Sequence, residues 1–120
     1  MSIIVAWSLF ALGVAHVAFG LVKFKGPLTD AAAAGFVGAF QAPEVRRTAF
    51  WFTLFGLPLM LAGHVAVHAV TVGDGRLLQV IAAYVLVTAL VGVVAIPKSP
   101  FWAPLVLAPL VWAAGAGFFP

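Results

Sequence analysis

Four long apolar stretches dominate the chain, over residues 3–22, 49–72, 77–96 and 101–119. Each is close to the roughly 20 residues that a helix needs to cross about 30 Å of hydrocarbon. None alternates apolar with polar residues as a barrel strand does, so all four are expected to be helices. The remainder of the chain cannot support a water-soluble alternative. Charged residues make up only 8% of the 120, with six Lys and Arg against three Asp and Glu. A soluble domain carries about a quarter. This balance excludes an ordinary globular domain, a disordered chain, a coiled coil and a nucleic-acid-binding protein. Cysteine is absent, which excludes disulfides, thiolate metal sites and cysteine nucleophiles.

The expected architecture is therefore an all-α membrane protein, one transmembrane domain over residues 1–120 built as an antiparallel bundle of four transmembrane helices. Gly73-Asp74-Gly75-Arg76 divides the second stretch from the third, and Pro97-Lys98-Ser99-Pro100 divides the third from the fourth. Gaps of only about four residues make sequential helices antiparallel neighbours. The first stretch has no basic residue ahead of it and suits a full span rather than a cleaved signal. Lys23, Lys25, Arg46, Arg47 and Lys98 lie in loops one and three, with Arg76 alone on the other side. By the positive-inside rule the protein is a multi-pass protein of the inner (plasma) membrane, with loops one and three cytoplasmic and both termini outside. Membrane lipids are then its first partners, their anionic headgroups facing the basic surplus.

Loop one, residues 23–48, is the only long connection. Gly26-Pro27 opens it, Thr29 or Asp30 can cap a short helix over residues 30–40, and Pro43 ends the segment. Phe36 and Phe40 would share a face of that helix, and Glu44 is placed to pair with Arg47 or with nearby lysines. The segment is too short and too broken by glycine to span. It is expected as an interfacial helix under the bundle or as a re-entrant element lining a cavity.

Helices two and four carry a weak internal repeat. Phe50, Trp51, Leu54, Pro58, Leu59 and Ala62 align with Phe101, Trp102, Leu105, Pro109, Leu110 and Ala113. The tryptophans suit interfacial anchors, and the prolines are expected to kink both helices and free the carbonyls of Leu54 and Leu105.

Ionisable residues inside spans are functional candidates by default, and here they are His16, His64 and His68. His64 and His68 are spaced as two ligands of one metal. His16, however, sits about 9 Å above the cytoplasmic end of its helix and His64 about 22 Å above it. No metal and no other cofactor is therefore expected. His16 lies between Gly13 and Gly20 on one stripe, which predicts close helix approach with the imidazole as a hydrogen-bonding knob, and Gly56 and Gly63 offer a matching groove. His64 and Tyr84 lie at similar depth on either side of the Gly73–Arg76 turn. With His68, Thr88, Gln79, Ser8 and Trp112 they would form a polar and aromatic pocket in the outer half of the bundle. Such a pocket could fix helix packing or orient the polar head of an apolar ligand. It could equally use His64 and Tyr84 as catalytic residues for proton transfer.

Two segments carry a resemblance. Gly13-Val-Ala-His16-Val-Ala-Phe-Gly20 followed by Lys23, and Arg46-Arg47-Thr-Ala-Phe-Trp-Phe-Thr-Leu-Phe-Gly56, resemble a bacterial family of small four-span membrane proteins with no assigned activity. The ending of helix one, Phe19-Gly-Leu-Val-Lys-Phe24, is similar to the broader DoxX-like group, which implies a link to quinone-associated redox systems. The absence of cysteine sets aside any thiol chemistry that this likeness implies. Length and span number are also similar to small multidrug exporters, but no Asp or Glu lies within a predicted span to couple export to protons.

Three functions follow from these readings. The first is a non-enzymatic binder of a lipid-like or other apolar small molecule, or of a partner protein, in the outer-half pocket. The second is a membrane-embedded isomerase or quinone-linked oxidoreductase using His64 and Tyr84. The third is a small transporter assembled as a homo-oligomer.

Overall fold

A computed structural model describes residues 1–119. It contains five helices and no strand among those residues: α1 (Ser2–Lys23), α2 (Lys25–Ala33), α3 (Glu44–Val72), α4 (Gly75–Ala95) and α5 (Trp102–Gly115). Three of them, α1, α3 and α4, are long and apolar enough to cross a membrane. The fourth apolar stretch forms a helix of only 14 residues, about 21 Å at 1.5 Å per residue. The cause is local. Gly117 takes a positive φ of 85°, and the N–H groups of Gly117 and Phe118 turn back to Ala114 (3.2 Å) and Ala113 (3.0 Å). That pair of bonds closes a helix.

Loop one also departs from expectation. Its helix lies at Lys25–Ala33 rather than at 30–40. Pro27 falls in the first turn, where its missing N–H costs nothing. Beyond Ala34 the backbone turns left-handed at Gly35 (φ 104°), Phe36 (φ 65°) and Gly38 (φ 73°), so no helix can run through to Phe40. Phe36 and Phe40 meet all the same, edge to face at 5.2 Å, and Phe40 meets Phe50 at 5.2 Å. Arg47 does not pair with Glu44; it donates to the carbonyl of Gln41 at 2.6 Å. Arg46 donates to Ala39 at 3.4 Å. The two guanidinium groups thus tie the loop back to the start of α3.

The turn between α3 and α4 does two jobs in two residues. Gly73, at φ 74°, lets its own N–H reach Val70 (3.2 Å) and the Asp74 N–H reach Ala69 (2.8 Å), which ends α3. The Asp74 carboxylate then accepts from the Leu77 N–H at 2.9 Å and caps α4.

Packing is uneven. The broadest contact joins α1 to α3, the next α4 to α5, and α3 touches α4 only sparingly. The core gathers Val5, Ala6 and Leu9 of α1, Ala66 and Ala69 of α3, Leu78, Ala82 and Val85 of α4, and Ala108 and Val111 of α5. These residues all lie in the half of the molecule that holds the Gly73 turn. There the backbones of Gly75 and Gly115 touch reciprocally, each standing where the other's side chain would be. At the opposite end of the α4–α5 pair the Phe101 ring lies over Gly92. The chain is thus two helix pairs joined at one end, with α2 and its loop attached to the other.

Candidate functional site

The α1–α3 pair leaves no room for a ligand. A Cβ on Gly13 would lie 2.5 Å from the Met60 nitrogen, and one on Gly20 would lie 2.6 Å from the Thr53 hydroxyl. On the other helix, Gly56 abuts Val17 and Gly63 abuts the backbone of Phe10. His16 sits between the two glycine contacts as expected. Its Nε2 is 2.8 Å from the carbonyl oxygen of Phe52, and its ring stacks on the Phe52 ring at 4.3 Å. Phe55 closes the other edge at 5.6 Å. The imidazole is therefore part of the helix contact, through a part-buried polar bond and a ring stack.

Between the pairs the packing is different. Below the core, α3 and α4 leave a cleft of about 240 Å³ that also reaches the start of α5. Phe55, Pro58, Leu59 and Ala62 form one wall, Tyr84, Val85 and Thr88 the second, and Phe101 and Pro104 the third. The α3 set follows the i, i+3, i+4, i+7 spacing of a single helix face. Pro58 removes the N–H that would otherwise bind the Leu54 carbonyl in this turn. The Thr88 hydroxyl donates to the Tyr84 carbonyl at 2.8 Å. Tyr84 is 75% exposed and carries the one phenol on the lining. An apolar slot with one phenol at its edge can hold an apolar molecule and orient a polar group on it. A second cleft of about 380 Å³, between α4 and α5, is lined by Ala82, Leu86, Ala108, Pro109 and Trp112.

The residues expected to form one outer-half pocket are dispersed. Tyr84 and Thr88 line the first cleft and Trp112 the second, while His64, His68, Gln79 and Ser8 line neither. His64 follows Ala62 by two positions, about 200° around the helix, and His68 follows Leu59 by nine, about 180°. Both imidazoles therefore face away from α4, and both residues are exposed. The His64 ring lies against Phe10 of α1, centroids 6.0 Å apart. No hydrogen bond joins His64 to Tyr84 among the described residues. Equal depth does not bring them together, because their helices turn other faces to one another. Ser8 satisfies its hydroxyl on the Ile4 carbonyl at 2.7 Å. Gln79 packs beside Gly115, where α4 meets α5. Among the described residues no group of three or more His, Asp or Glu side chains could hold a metal.

The cleft residues that sequence reasoning missed are Phe55, Pro58, Leu59, Ala62, Val85, Phe101 and Pro104. A signal for the α3 wall was available. If Gly56 and Gly63 face α1, the stripe Phe55–Pro58–Leu59–Ala62 lies about a third of a turn away, on the side where α4 must pack.

Over residues 1–116 the chain matches the model of a family described as a family of unknown function, DUF6463, and it belongs to that family. The match takes in all five helices. No curated protein and no solved structure matches it. The expectation of a family without an assigned activity is met at that level.

Proposed function

We propose that this chain is a multi-pass protein of the plasma membrane that binds an apolar, lipid-like molecule in the cleft between its two helix pairs. The observation that carries the reading is the cleft itself. It is an apolar slot at the one seam where long helices scarcely touch, with the Tyr84 phenol at its mouth. In a bilayer such a slot opens sideways into lipid, so an apolar ligand reaches it without crossing water. At about 240 Å³ it is smaller than the roughly 300–1,000 Å³ of pockets that enclose a small molecule. The ligand is then held on one side by protein and on the other by acyl chains.

In this reading α1, α3 and α4 cross the bilayer and α5 crosses as the fourth span, with the apolar Phe118 and Phe119 following its closing turn. Loops one and three lie in the cytoplasm and both termini outside, as the distribution of Lys and Arg requires. Loop one rests in the interface, with Phe36 and Val37 exposed to it. Trp51 and Trp102 are more than half exposed and mark the same boundary.

Native mass spectrometry of gently extracted protein tests the function. An apolar adduct of defined mass is expected on the native chain and is expected to disappear in Ala62→Phe, which fills the slot. An adduct that persists in Ala62→Phe, or protein that carries none, would sink the reading. The topology is tested separately in this cysteine-free chain. Single cysteines at Ser2 and Gly75 should react with an impermeant reagent from outside and one at Ser99 should not; labelling of Ser99 alone reverses the orientation.

A further inference from the structure

We infer that the cleft's ligand is an anionic single-chain amphiphile, seated with its tail toward the core and its acidic head at Arg47 and Lys98. This rests on the cleft being the binding site and adds the ligand's class and direction. One end of the cleft is closed. Above Ala62 and Val85 the helices meet in the core through Ala66, Ala69, Leu78 and Ala82. A chain molecule can extend only the other way.

In that direction the lining face of α3 continues in single-turn steps. Trp51 lies one turn below Phe55, and Arg47 one turn below Trp51, about 12 Å from Phe55 in all. Trp51 is 62% exposed and stands over the rim as an amphipathic collar. Across the cleft, Lys98 precedes the lining residue Phe101 by three positions and is exposed. Arg47 spends one of its five N–H donors on the Gln41 carbonyl and pairs with no carboxylate among the described residues. Glu44, a further turn down α3, is the nearest acid on this face and lies beyond Arg47 from the cleft. At the closed end the one Lys or Arg is Arg76, and Asp74 is two residues from it. The charge complement of the open rim is therefore a carboxylate or phosphate, and the small slot suits one chain rather than two.

Palmitate and 1-hexadecanol share a chain and differ in head charge, so they separate the head from the tail. Protein in neutral detergent is equilibrated with equal amounts of both, and the two adducts are counted by native mass spectrometry. Palmitate is expected in about tenfold excess, the worth of one charge-assisted contact. Lys98→Gln, at a residue with no side-chain hydrogen bond, should cut that excess, and Arg47→Gln/Lys98→Gln should bring the ratio close to one. The hexadecanol adduct should persist in both variants, which also reports that they are folded. Arg76→Gln, at the far end, should leave the ratio alone. Equal retention of both probes by the native chain, or a palmitate excess that survives the double variant, overturns the head assignment while the cleft stands. Retention of neither probe removes the cleft reading and this one together.

Discussion

The two faces of α3 make opposite use of the same apolar helix. Toward α1 it presents Gly56 and Gly63, and the backbones come so close that no side chain fits between them. Toward α4 it presents Phe55, Pro58, Leu59 and Ala62, and the helices stand apart around a cleft. In lipid there is little hydrophobic force to press helices together, so close packing and interhelical hydrogen bonds decide which contacts are tight. Small residues and one imidazole secure the first face. Bulky residues and a proline leave the second open. One helix can thus carry a close contact and an open cleft about a third of a turn apart.

The sharpest way to break this comparison is to substitute neighbouring residues. Gly63→Leu drives a side chain into the backbone of Phe10 and should cost about 3 kcal/mol, read as the loss of folded protein in a detergent-denaturation series. Ala62→Leu, one residue away, projects into the cleft and should change stability by no more than about 0.5 kcal/mol. Equal costs at the two positions would mean that the faces do not differ. His16→Phe keeps the stack on Phe52 but removes the bond to its carbonyl. About 0.6–1.7 kcal/mol should be lost in the same assay, the range of hydrogen bonds between membrane helices. A null effect would leave the α1–α3 contact to the glycines alone.

The smaller effects concern the residues that the structure separates. In a double-mutant cycle, His64→Ala and Tyr84→Phe should add to within about 0.5 kcal/mol, because His64 lies against Phe10 of α1 and Tyr84 stands exposed on the α4 side of the cleft. A coupling above about 1 kcal/mol would place the two side chains in contact after all. Tyr84→Phe alone should leave stability unchanged within about 0.5 kcal/mol, since the phenol stands exposed at the cleft mouth. Its effect should appear instead in the amount of apolar adduct retained.

What was legible in the sequence follows from what each property depends on. The positions of α1, α3 and α4 could be read because hydropathy and the Gly73-Asp74-Gly75 turn act locally. The tight α1–α3 contact was legible as well, since Gly13, His16 and Gly20 share one stripe and Gly56 and Gly63 another. Depth could be estimated from rise per residue, but depth alone does not decide which groups meet. His64 and Tyr84 stand at similar distances along the chain from the Gly73 turn and are turned to different partners, and only the rotation of α3 about its axis reveals it. That rotation is set by the glycines facing α1. The shift of the loop-one helix had a different origin. Pro27 suits a first helical turn as well as a loop, and the left-handed backbone at Phe36 leaves no compositional mark.

The reciprocal contact of Gly75 with Gly115 has a mechanical consequence. With Phe101 seated on Gly92 at the other end, α4 and α5 are clamped at both extremities and behave as a single stiff arm. The glycine seam makes α1 and α3 a second arm. On the proposed reading, the gap between the arms widens as one arm swings against the other, as in a hinge closure run backwards. The pivot is the bend at Gly73 and Asp74 together with the core contact of α1 with α5 beside it. Tongs of this build grip most firmly near the pivot and yield most at the tips, where Arg47 and Lys98 are carried.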